Sequence, residues 1–322
     1  MVPVNDMVAA APVRVRRIGL LGVPSSAGSH NPGQEKAPTA LRAAGLVEAL
    51  SAAGLQVRDF GDLPVNRHRP TVAVDGVRDL ARVIEVVGDT ADRVEQIRSE
   101  GFLPLVVGGD CTITLGVVLG LSRQEGPRGV GLIYFDGDAD LNTPATSGSG
   151  VLDTMGMTHL LGGGAPALAG IGPSRPLLPP DRVELFGFDP AALDTGQWAH
   201  LTSRGLHATP APAVRENPGV RAAAALARLQ RAAGTVLVHF DVDVLDTGAF
   251  PLANFPHFAG LTMAEVATCL TLFCADDAFA GLVLTEVNPD HDPDGVLLTT
   301  LINTLAAALT PTPGAERPTV VP

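Results

Sequence analysis

The chain has 322 residues, of which 46% are hydrophobic and 17% charged, so it is long enough to bury a substantial core. Its formal net charge of −12 disfavours nucleic acid as a partner, because phosphate binding needs a basic face. Its apolar runs are too short to cross a bilayer, and its N-terminus lacks the apolar core of a secretory signal. We therefore expect a cytoplasmic protein with no nucleic-acid or membrane partner.

Predicted strands alternate with helical segments along most of the chain. We expect a flexible N-terminal arm (1–14), one domain (15–310) and a Pro-rich C-terminal tail (311–322). The pattern predicts helices at Thr39–Ala53 and Val77–Gly101 and strands at Arg17–Val23, Gln56–Phe60, Leu103–Val107, Gly129–Phe135, Arg182–Phe188, Thr235–Val242 and Ala280–Val287. Because these strands are apolar on both faces, we expect an α/β fold in which three layers, α-β-α, enclose a parallel central sheet.

The three cysteines, Cys111, Cys269 and Cys274, are an odd number without a CxxC pair. This excludes a disulfide framework and a zinc finger. Cys269 and Cys274 lie on an apolar helical segment, where core packing is the expected role.

Three predicted strands run directly into polar segments: VVGGDCT (106–112), IYFDGDAD (133–140) and VHFDVDVLD (238–246). In an open parallel sheet the ligand site lies beyond the carboxyl ends of the strands. The Gly108–Gly109 pair lacks the pattern of a phosphate loop and is interpreted as a point of close backbone approach.

Five aspartates form two clusters after buried strands: Asp136, Asp138, Asp140, Asp241 and Asp243. If the backbone stays extended past Phe135, the first three share one face. Buried carboxylates need compensation, and their oxygens are natural ligands of Mg²⁺, Mn²⁺ or Ca²⁺. A single DxD favours a solvated turn, but two clusters at strand ends favour a metal site.

Four segments in order resemble the motifs of the ureohydrolase family, which comprises arginases, agmatinases and their relatives. GGDCT resembles GGDHS, YFDGDADLNTP resembles DAHxDxNTP, HFDVDVLD resembles SFDxDxxDP, and TEVNPDHD resembles MEVNP. The resemblance covers nearly the whole chain, and the NTP after the third aspartate is closer to arginase than to agmatinase. It implies an arginase-like fold and a homo-oligomer, often a trimer or hexamer.

The resemblance also implies the metal ligands. In that family two Mn²⁺ ions, held by four aspartates and two histidines, activate water for attack on the guanidinium carbon. The matching aspartates are Asp136, Asp140, Asp241 and Asp243, of which Asp136 and Asp241 bridge the ions. The two histidine positions are occupied by Cys111 and Asp138, which complete the expected ligand set.

These two replacements affect the choice of metal. The thiolate of Cys111 is a soft ligand that suits Zn²⁺ better than Mn²⁺. If all six positions were ionised, roughly six negative charges would face the four positive charges of two divalent ions. Either Cys111 stays a neutral thiol or a carboxylate keeps its proton. We expect one or two divalent ions, Mn²⁺ or alternatively Zn²⁺, with the Asp138 side better occupied.

Asp140, Asp153 and Glu286 are the residues that the resemblance assigns to the reaction itself. Glu286 matches the glutamate that pairs with the guanidinium group, and Asp153 falls where arginases have a proton-shuttle histidine. The ordinary pKa of an aspartate is low for a general acid near neutrality. The loop histidines His257 and His291 are alternatives for the lost ligands or shuttle, although solvated loop side chains are the simpler interpretation.

Three further residues are expected to bind substrate. Asn142 and Ser149 match positions that recognise the α-carboxylate and α-amino region in arginases, and Asp189 matches an aspartate that contacts the substrate amino group. Without the resemblance, Asn142 would be a turn residue and Ser149 a loop hydroxyl. Phe255 replaces a threonine near the substrate, and its ring either narrows the pocket or packs in the core.

The sequence therefore predicts metal-dependent hydrolysis of the guanidino C–N bond of an arginine-like amino acid, which an N-hydroxyl or other group could modify. Urea or a urea derivative would be released with an amine such as ornithine. Two alternatives stay open: a pseudoenzyme that keeps the fold as a binding or regulatory protein, and another amidine or formimino C–N hydrolase.

Overall fold

A computed structural model describes residues 15–126 and 128–311. The predicted N-terminal arm and residues 312–322 of the predicted tail lie outside this range. Its centre is an eight-stranded sheet with the strand order β2-β1-β3-β8-β7-β4-β5-β6, and every pair of neighbouring strands is parallel. The strands are β1 Arg17–Gly22, β2 Gln56–Asp62, β3 Leu103–Val107, β4 Val130–Phe135, β5 Val183–Phe186, β6 His207–Thr209, β7 Thr235–Asp241 and β8 Phe279–Thr285.

Helices cover both faces of the sheet. They are α1 Ala37–Ala43, α2 Leu46–Ala52, α3 Leu80–Ser99, α4 Ile113–Ser122, α5 Gly156–Leu160, α6 Pro166–Ala169, α7 Thr195–Ser203, α8 Ala211–Glu216, α9 Pro218–Ala232, α10 Met263–Ala275 and α11 Val296–Leu309. One core joins the sheet to α1, α2, α8, α9, α10 and α11, and a second core joins its other face to α3, α4, α5, α6 and α7. The predicted three-layer parallel fold is confirmed.

The local differences from the sequence prediction have identifiable causes. The helix predicted over Thr39–Ala53 is two helices, because Gly45 adopts a positive φ of 89° between them. The helix predicted from Val77 begins at Leu80, after Asp79 with a φ of 50°. Strand β6 was not predicted, since its three residues are too few to show a period.

Cys269 and Cys274 are fully buried on α10, which confirms their predicted packing role. Over the described ranges, no helix has the length and apolar character needed to cross a membrane.

The all-parallel topology places the four motifs at one edge of the sheet. Strands β3, β8, β7 and β4 are consecutive neighbours in its middle, and each motif begins at the carboxyl end of one of them. The Gly108–Gly109 turn after β3 has φ values of 87° and 94°. A Cβ at Gly108 would lie 2.4 Å from Pro38 Cδ, so the close approach predicted for this pair is confirmed.

An ion pair between the buried Glu184 of β5 and Arg228 of α9, whose side chain is 32% exposed, links these two elements. Glu184 is fully buried and accepts two hydrogen bonds from Arg228, at 2.6 Å from Nη2 and 2.9 Å from Nε. The Thr209 hydroxyl donates a third at 2.7 Å. This arrangement saturates the carboxylate, so removal of the guanidinium would leave a buried charge without its counter-charge.

We predict that Arg228→Met lowers the free energy of unfolding by about 3–5 kcal/mol, measured by urea denaturation. The control is Arg221→Met, which removes an ion pair with Glu216 whose side chains are 44% and 71% exposed. That variant should lose about 0–1 kcal/mol. Equal losses in the two variants would contradict the interpretation, and adding Glu184→Gln to Arg228→Met should restore part of the loss.

Candidate active site

The carboxyl ends of the central strands open into a pocket, here called the inner pocket. It is lined by all eight residues predicted to bind metal or take part in the reaction: Cys111, Asp136, Asp138, Asp140, Asp153, Asp241, Asp243 and Glu286. The rest of its wall comes from loops, through His30, Asn31, Gln34, Thr154, Asn254 and Phe255. Residues far apart in sequence thus meet at the one edge of the sheet where ligands bind in this class of fold.

Cys111 lies just before α4 and contacts the aspartate at the end of β7. Its Sγ donates a hydrogen bond to Asp241 Oδ2 at 2.7 Å and lies 3.4 Å from Thr285 Oγ1 and 3.9 Å from Asp136 Oδ2. Burial, together with the charge of Asp241, raises the pKa of the thiol well above its usual range. Without metal the Cys111 thiol is therefore neutral near pH 7, and its state with metal bound stays a prediction.

The DGDAD segment does not continue the strand. β4 ends at Phe135, the Asp136 carboxylate accepts a hydrogen bond of 2.7 Å from the Asp138 N–H, and Asp140 has a φ of 48°. The prediction that the three aspartates share one face of an extended backbone is therefore wrong. Asp136 and Asp140 turn into the buried site, whereas the Asp138 side chain is 30% exposed.

Two buried side chains support the metal-site aspartates from behind. His239 stacks on Tyr134, with ring centroids 4.0 Å apart, and its Nε2 lies 3.1 Å from Asp136 Oδ2. Burial lowers the pKa of His239 to about 3, so the ring is neutral; its Nε2 makes the contact with Asp136, and its Nδ1 lies 2.8 Å from the Thr114 hydroxyl oxygen. The Tyr134 hydroxyl donates to Asp140. Both contacts orient ligand oxygens, as outer partners do in metal sites.

His257 is the loop histidine that reaches the site. It is 5% exposed, and its Nε2 lies 3.4 Å from Asp138 Oδ2 and 3.6 Å from Asp243 Oδ2. Burial by itself lowers its pKa, but the two carboxylates outweigh that effect and raise the pKa to about 11. In the metal-free protein the ring is thus an imidazolium between two carboxylates.

His291, the other candidate, is exposed, and its ring nitrogens contact the Ala253 carbonyl at 3.1 Å and the Asn288 side chain at 3.3 Å. Unlike His257, it is not in any group of described residues whose potential ligand atoms lie within 4.8 Å of one another.

Glu286 follows β8 and has one oxygen without a hydrogen-bond partner in the described part of the chain. Its backbone has a φ of 62°, its N–H donates to the Gly109 carbonyl at 3.1 Å, and its Oε2 accepts 2.7 Å from Gln34 Nε2. Oε1 is buried and unpaired. A buried acceptor in this state is suited to a donor on a ligand. Gln34 is not a residue that the sequence singles out, since its one signal there is its place in the first long loop.

Asp153 lies against the Cys111 backbone, which donates to its Oδ1 at 2.7 Å. Ligand atoms of Asp153, Cys111 and Glu286 all lie within 4.8 Å of one another. Burial, and then the charge of Glu286, raise the pKa of Asp153 well above its usual range. In the metal-free protein Asp153 thus keeps its proton to a higher pH than an ordinary aspartate, and its role as proton shuttle stays a prediction.

The inner pocket opens into a second, outer pocket that carries the predicted substrate residues. Asn142, Ser149 and Asp189 line the outer pocket. Ser149 Oγ lies 3.2 Å from Ser147 Oγ, and Asp189 Oδ1 accepts 2.9 Å from the Ala191 N–H. The residues common to the two pockets are His30, Asp138, Asp140, Thr154 and Phe255.

Phe255 lies where the inner and outer pockets join. It is 53% exposed, and its ring centroid is 5.6 Å from that of His257. Of the two roles expected for Phe255, core packing is wrong, because this ring is at the pocket wall.

Known proteins are similar to this chain in sequence and in fold. The sequence profile of the arginase family matches residues 16–310. Arginase from Bacillus caldovelox is 30% identical over 281 residues, 86% of this chain and 93% of that protein, and human Arginase-1 is 30% identical over 300 residues, 91% of each.

The structural similarity extends over the same region. The native structure of the Bacillus caldovelox arginase superposes with a TM-score of 0.83 at 27% identity, covering 93% of this chain and 100% of that chain. Formimidoylglutamase from Bacillus subtilis, at 18% identity and a TM-score of 0.72, covers 92% of this chain and 86% of its own and shares the fold alone. From its sequence and its fold, the chain belongs to the arginase family.

Proposed function

We propose that this chain is a ureohydrolase-type amidinohydrolase that cleaves the guanidino C–N bond of an arginine-like amino acid. Urea or a urea derivative is released with an amine such as ornithine. The observation that carries the proposal is the pairing of two pockets. An inner pocket rich in carboxylates, with the unpaired Oε1 of Glu286, opens into an outer pocket lined by Asn142, Ser149 and Asp189.

The donor set of the inner pocket fits divalent metal. Ligand atoms of Cys111, Asp136 and Asp241 lie within 4.8 Å of one another, and so do ligand atoms of Asp138, Asp243 and His257. All of these carboxylates except that of Asp138 are buried, so a cation must offset their charge when they ionise. Carboxylate oxygens favour Mn²⁺, while the thiol of Cys111 also suits Zn²⁺.

Two subsites for the ions follow from the motif positions. Cys111, Asp136, Asp140 and Asp241 would hold one ion; Asp138 and Asp243 would hold the other, with Asp136 and Asp241 shared. Bound there, divalent metal supplies Lewis acidity that makes water a nucleophile near neutral pH.

The remaining side chains act on the substrate. The unpaired oxygen of Glu286 accepts a guanidinium N–H, and Gln34 holds the other oxygen in place. Asp153, at the shuttle position, relays the proton to the leaving amine. Asn142, Ser149 and Asp189 bind the α-carboxylate and α-amino groups in the outer pocket, and Phe255 keeps water out of the passage between the two pockets.

We predict that Glu286→Gln reduces kcat/KM for the guanidino substrate at least about 30-fold, because it removes a buried charge that pairs with the guanidinium. The measurement is urea release from L-arginine and from Nω-hydroxy-L-arginine, with the protein loaded with Mn²⁺, Zn²⁺ or Co²⁺. Glu48→Gln, at an exposed helical glutamate, is the matched control. Protein that binds metal but releases no product from guanidino or formimino substrates would instead favour the pseudoenzyme alternative.

We predict that Asn142→Ala combined with Ser149→Ala raises KM for arginine at least about tenfold, because two contacts to the α-groups are lost. Agmatine lacks the α-carboxylate, so its weaker hydrolysis should change little in the same variant. The check is steady-state kinetics with both substrates in parallel. Equal use of agmatine and arginine by the unmodified chain would contradict the assignment of the outer pocket.

We predict that the metal-free protein loses stability as pH rises from about 6.5 to about 8.5. Burial raises the pKa values of Asp136, Asp140, Asp241 and Glu286, so the folded state holds these protons more tightly than the unfolded chain. Stability from a raised pKa is present at low pH and lost as pH passes upward through it. Thermal melts of chelator-treated protein should show a falling Tm.

Two controls belong to this experiment. Added Mn²⁺ should raise the Tm more at the upper pH, because the metal replaces the protons. Buried His159 and His239 have lowered pKa values of about 4 and about 3, so they destabilise the fold only below the chosen window. A Tm of the metal-free protein that is flat or rising across the window would be inconsistent with the raised pKa values of these carboxyl groups and of His257, whose pKa of about 11 acts in the same direction.

A further inference from the structure

The Asp138 side of the site lacks the histidine that the DAHxDxNTP motif supplies, yet a histidine from another loop lies there. We propose that His257 donates its Nε2 to the metal ion bound by Asp138 and Asp243, and so replaces the missing motif histidine from a different chain position. The inference rests on the metal dependence proposed above but not on the identity of the substrate.

The three side chains converge from three different segments. Asp138 follows β4, Asp243 follows β7, and His257 comes from the loop between β7 and α10. One ligand atom from each lies within 4.8 Å of the other two. The spacing and the donor types are those of a cation site: two carboxylate oxygens and one imidazole nitrogen.

The Nε2 atom of His257 makes no hydrogen bond of good geometry. His257 is 5% exposed, and its Nε2 is buried without a hydrogen-bond partner among the residues that the structure describes. Its distances of 3.4 and 3.6 Å to the carboxylates of Asp138 and Asp243 are too long for good hydrogen bonds. A metal ion held between this nitrogen and the two carboxylates would give the nitrogen a close partner.

Gly137 provides the space that the ring fills. Its Cβ, if it had one, would lie 2.7 Å from His257 Cδ2, 3.0 Å from His257 Nε2 and 2.8 Å from the Asp243 carbonyl. Because a real Cβ does not approach that closely, even alanine at 137 would displace the ring. The DAHxDxNTP motif has alanine at this position. Relative to the motif, this chain has glycine for alanine at position 137 and aspartate for histidine at position 138. The first change makes space for the His257 ring, and the second removes the histidine that His257 would replace.

The loop that carries His257 is fixed by two reciprocal hydrogen bonds. The His257 N–H donates to Thr247 Oγ1 at 2.9 Å, and the Thr247 N–H donates to the His257 carbonyl at 2.8 Å. Since Thr247 follows the β7 aspartates closely in sequence, this pairing ties the ring to the same segment as Asp243. The position of His257 is thus built into the fold rather than left to a free loop.

Ligand charge favours an imidazole at this point. The site already holds more carboxylates than two divalent ions can neutralise, and a further acidic ligand would increase the excess. A neutral imidazole adds a metal donor without adding negative charge. It also supplies nitrogen, which Mn²⁺, Co²⁺ and Zn²⁺ all accept.

The test is metal stoichiometry in His257→Gln compared with the unmodified chain, with Co²⁺ as the probe. After dialysis, elemental analysis should show one ion fewer per chain in the variant, or an affinity for the last ion that is at least about tenfold weaker. X-ray absorption should show imidazole scattering that is smaller in the variant. His207→Gln, on the distant strand β6, is the matched control and should bind metal normally.

A second variant guards against misfolding of His257→Gln. Gly137→Ala keeps the imidazole but pushes it out of the site, and it should also lose one ion or bind it at least about tenfold more weakly. His257→Gln that folds and binds as many Co²⁺ ions with unchanged or tighter affinity would overturn the proposal. The metal content is measured without substrate. If the chain does not hydrolyse guanidino compounds, the metal content of the variants still tests the role of His257.

Discussion

The mutual repulsion of buried carboxylates is the constraint on which this site depends. Parallel topology brings the carboxyl ends of β3, β4, β7 and β8 to one edge, and each end carries an acid or a thiol. Six of the eight candidate metal and reaction residues are buried, and burial raises the pKa of each group for which a shift is resolved. A bound cation stabilises a fold with such a cluster. Without a cation, the carboxyl groups must keep their protons instead.

The neighbours of the cluster are arranged to hold it in place. His239 and Tyr134 contact Asp136 and Asp140 from within the core, and Gln34 contacts one oxygen of Glu286. Each of these contacts orients a carboxylate oxygen, His239 and Tyr134 from behind the inner pocket and Gln34 from its wall. This division between residues that orient ligands and residues that bind them is expected where geometry determines metal affinity.

The sequence predicted the sheet, its parallel direction and the residues that meet at its edge, because aliphatic runs and strand-end acids are local patterns. A contact made across the fold could not be predicted in this way. Gln34 becomes a partner of Glu286 only when distant segments meet. The turn at Asp136 could not be predicted because aspartates at alternate positions fit an extended strand as well as a turn. In the turn, the Asp136 carboxylate accepts a hydrogen bond from the backbone N–H two residues later.

The space shared by position 137 and the His257 ring also limits the order in which this centre can change. With any Cβ at 137 the ring is displaced, so glycine has to be in place before a histidine at 257 is useful. The reverse route is equally restricted, because restoring a larger residue at 137 expels His257 while Asp138 still occupies the motif position. The residues at positions 137, 138 and 257 therefore depend on one another. Introducing the family motif into this chain requires that all three be substituted together.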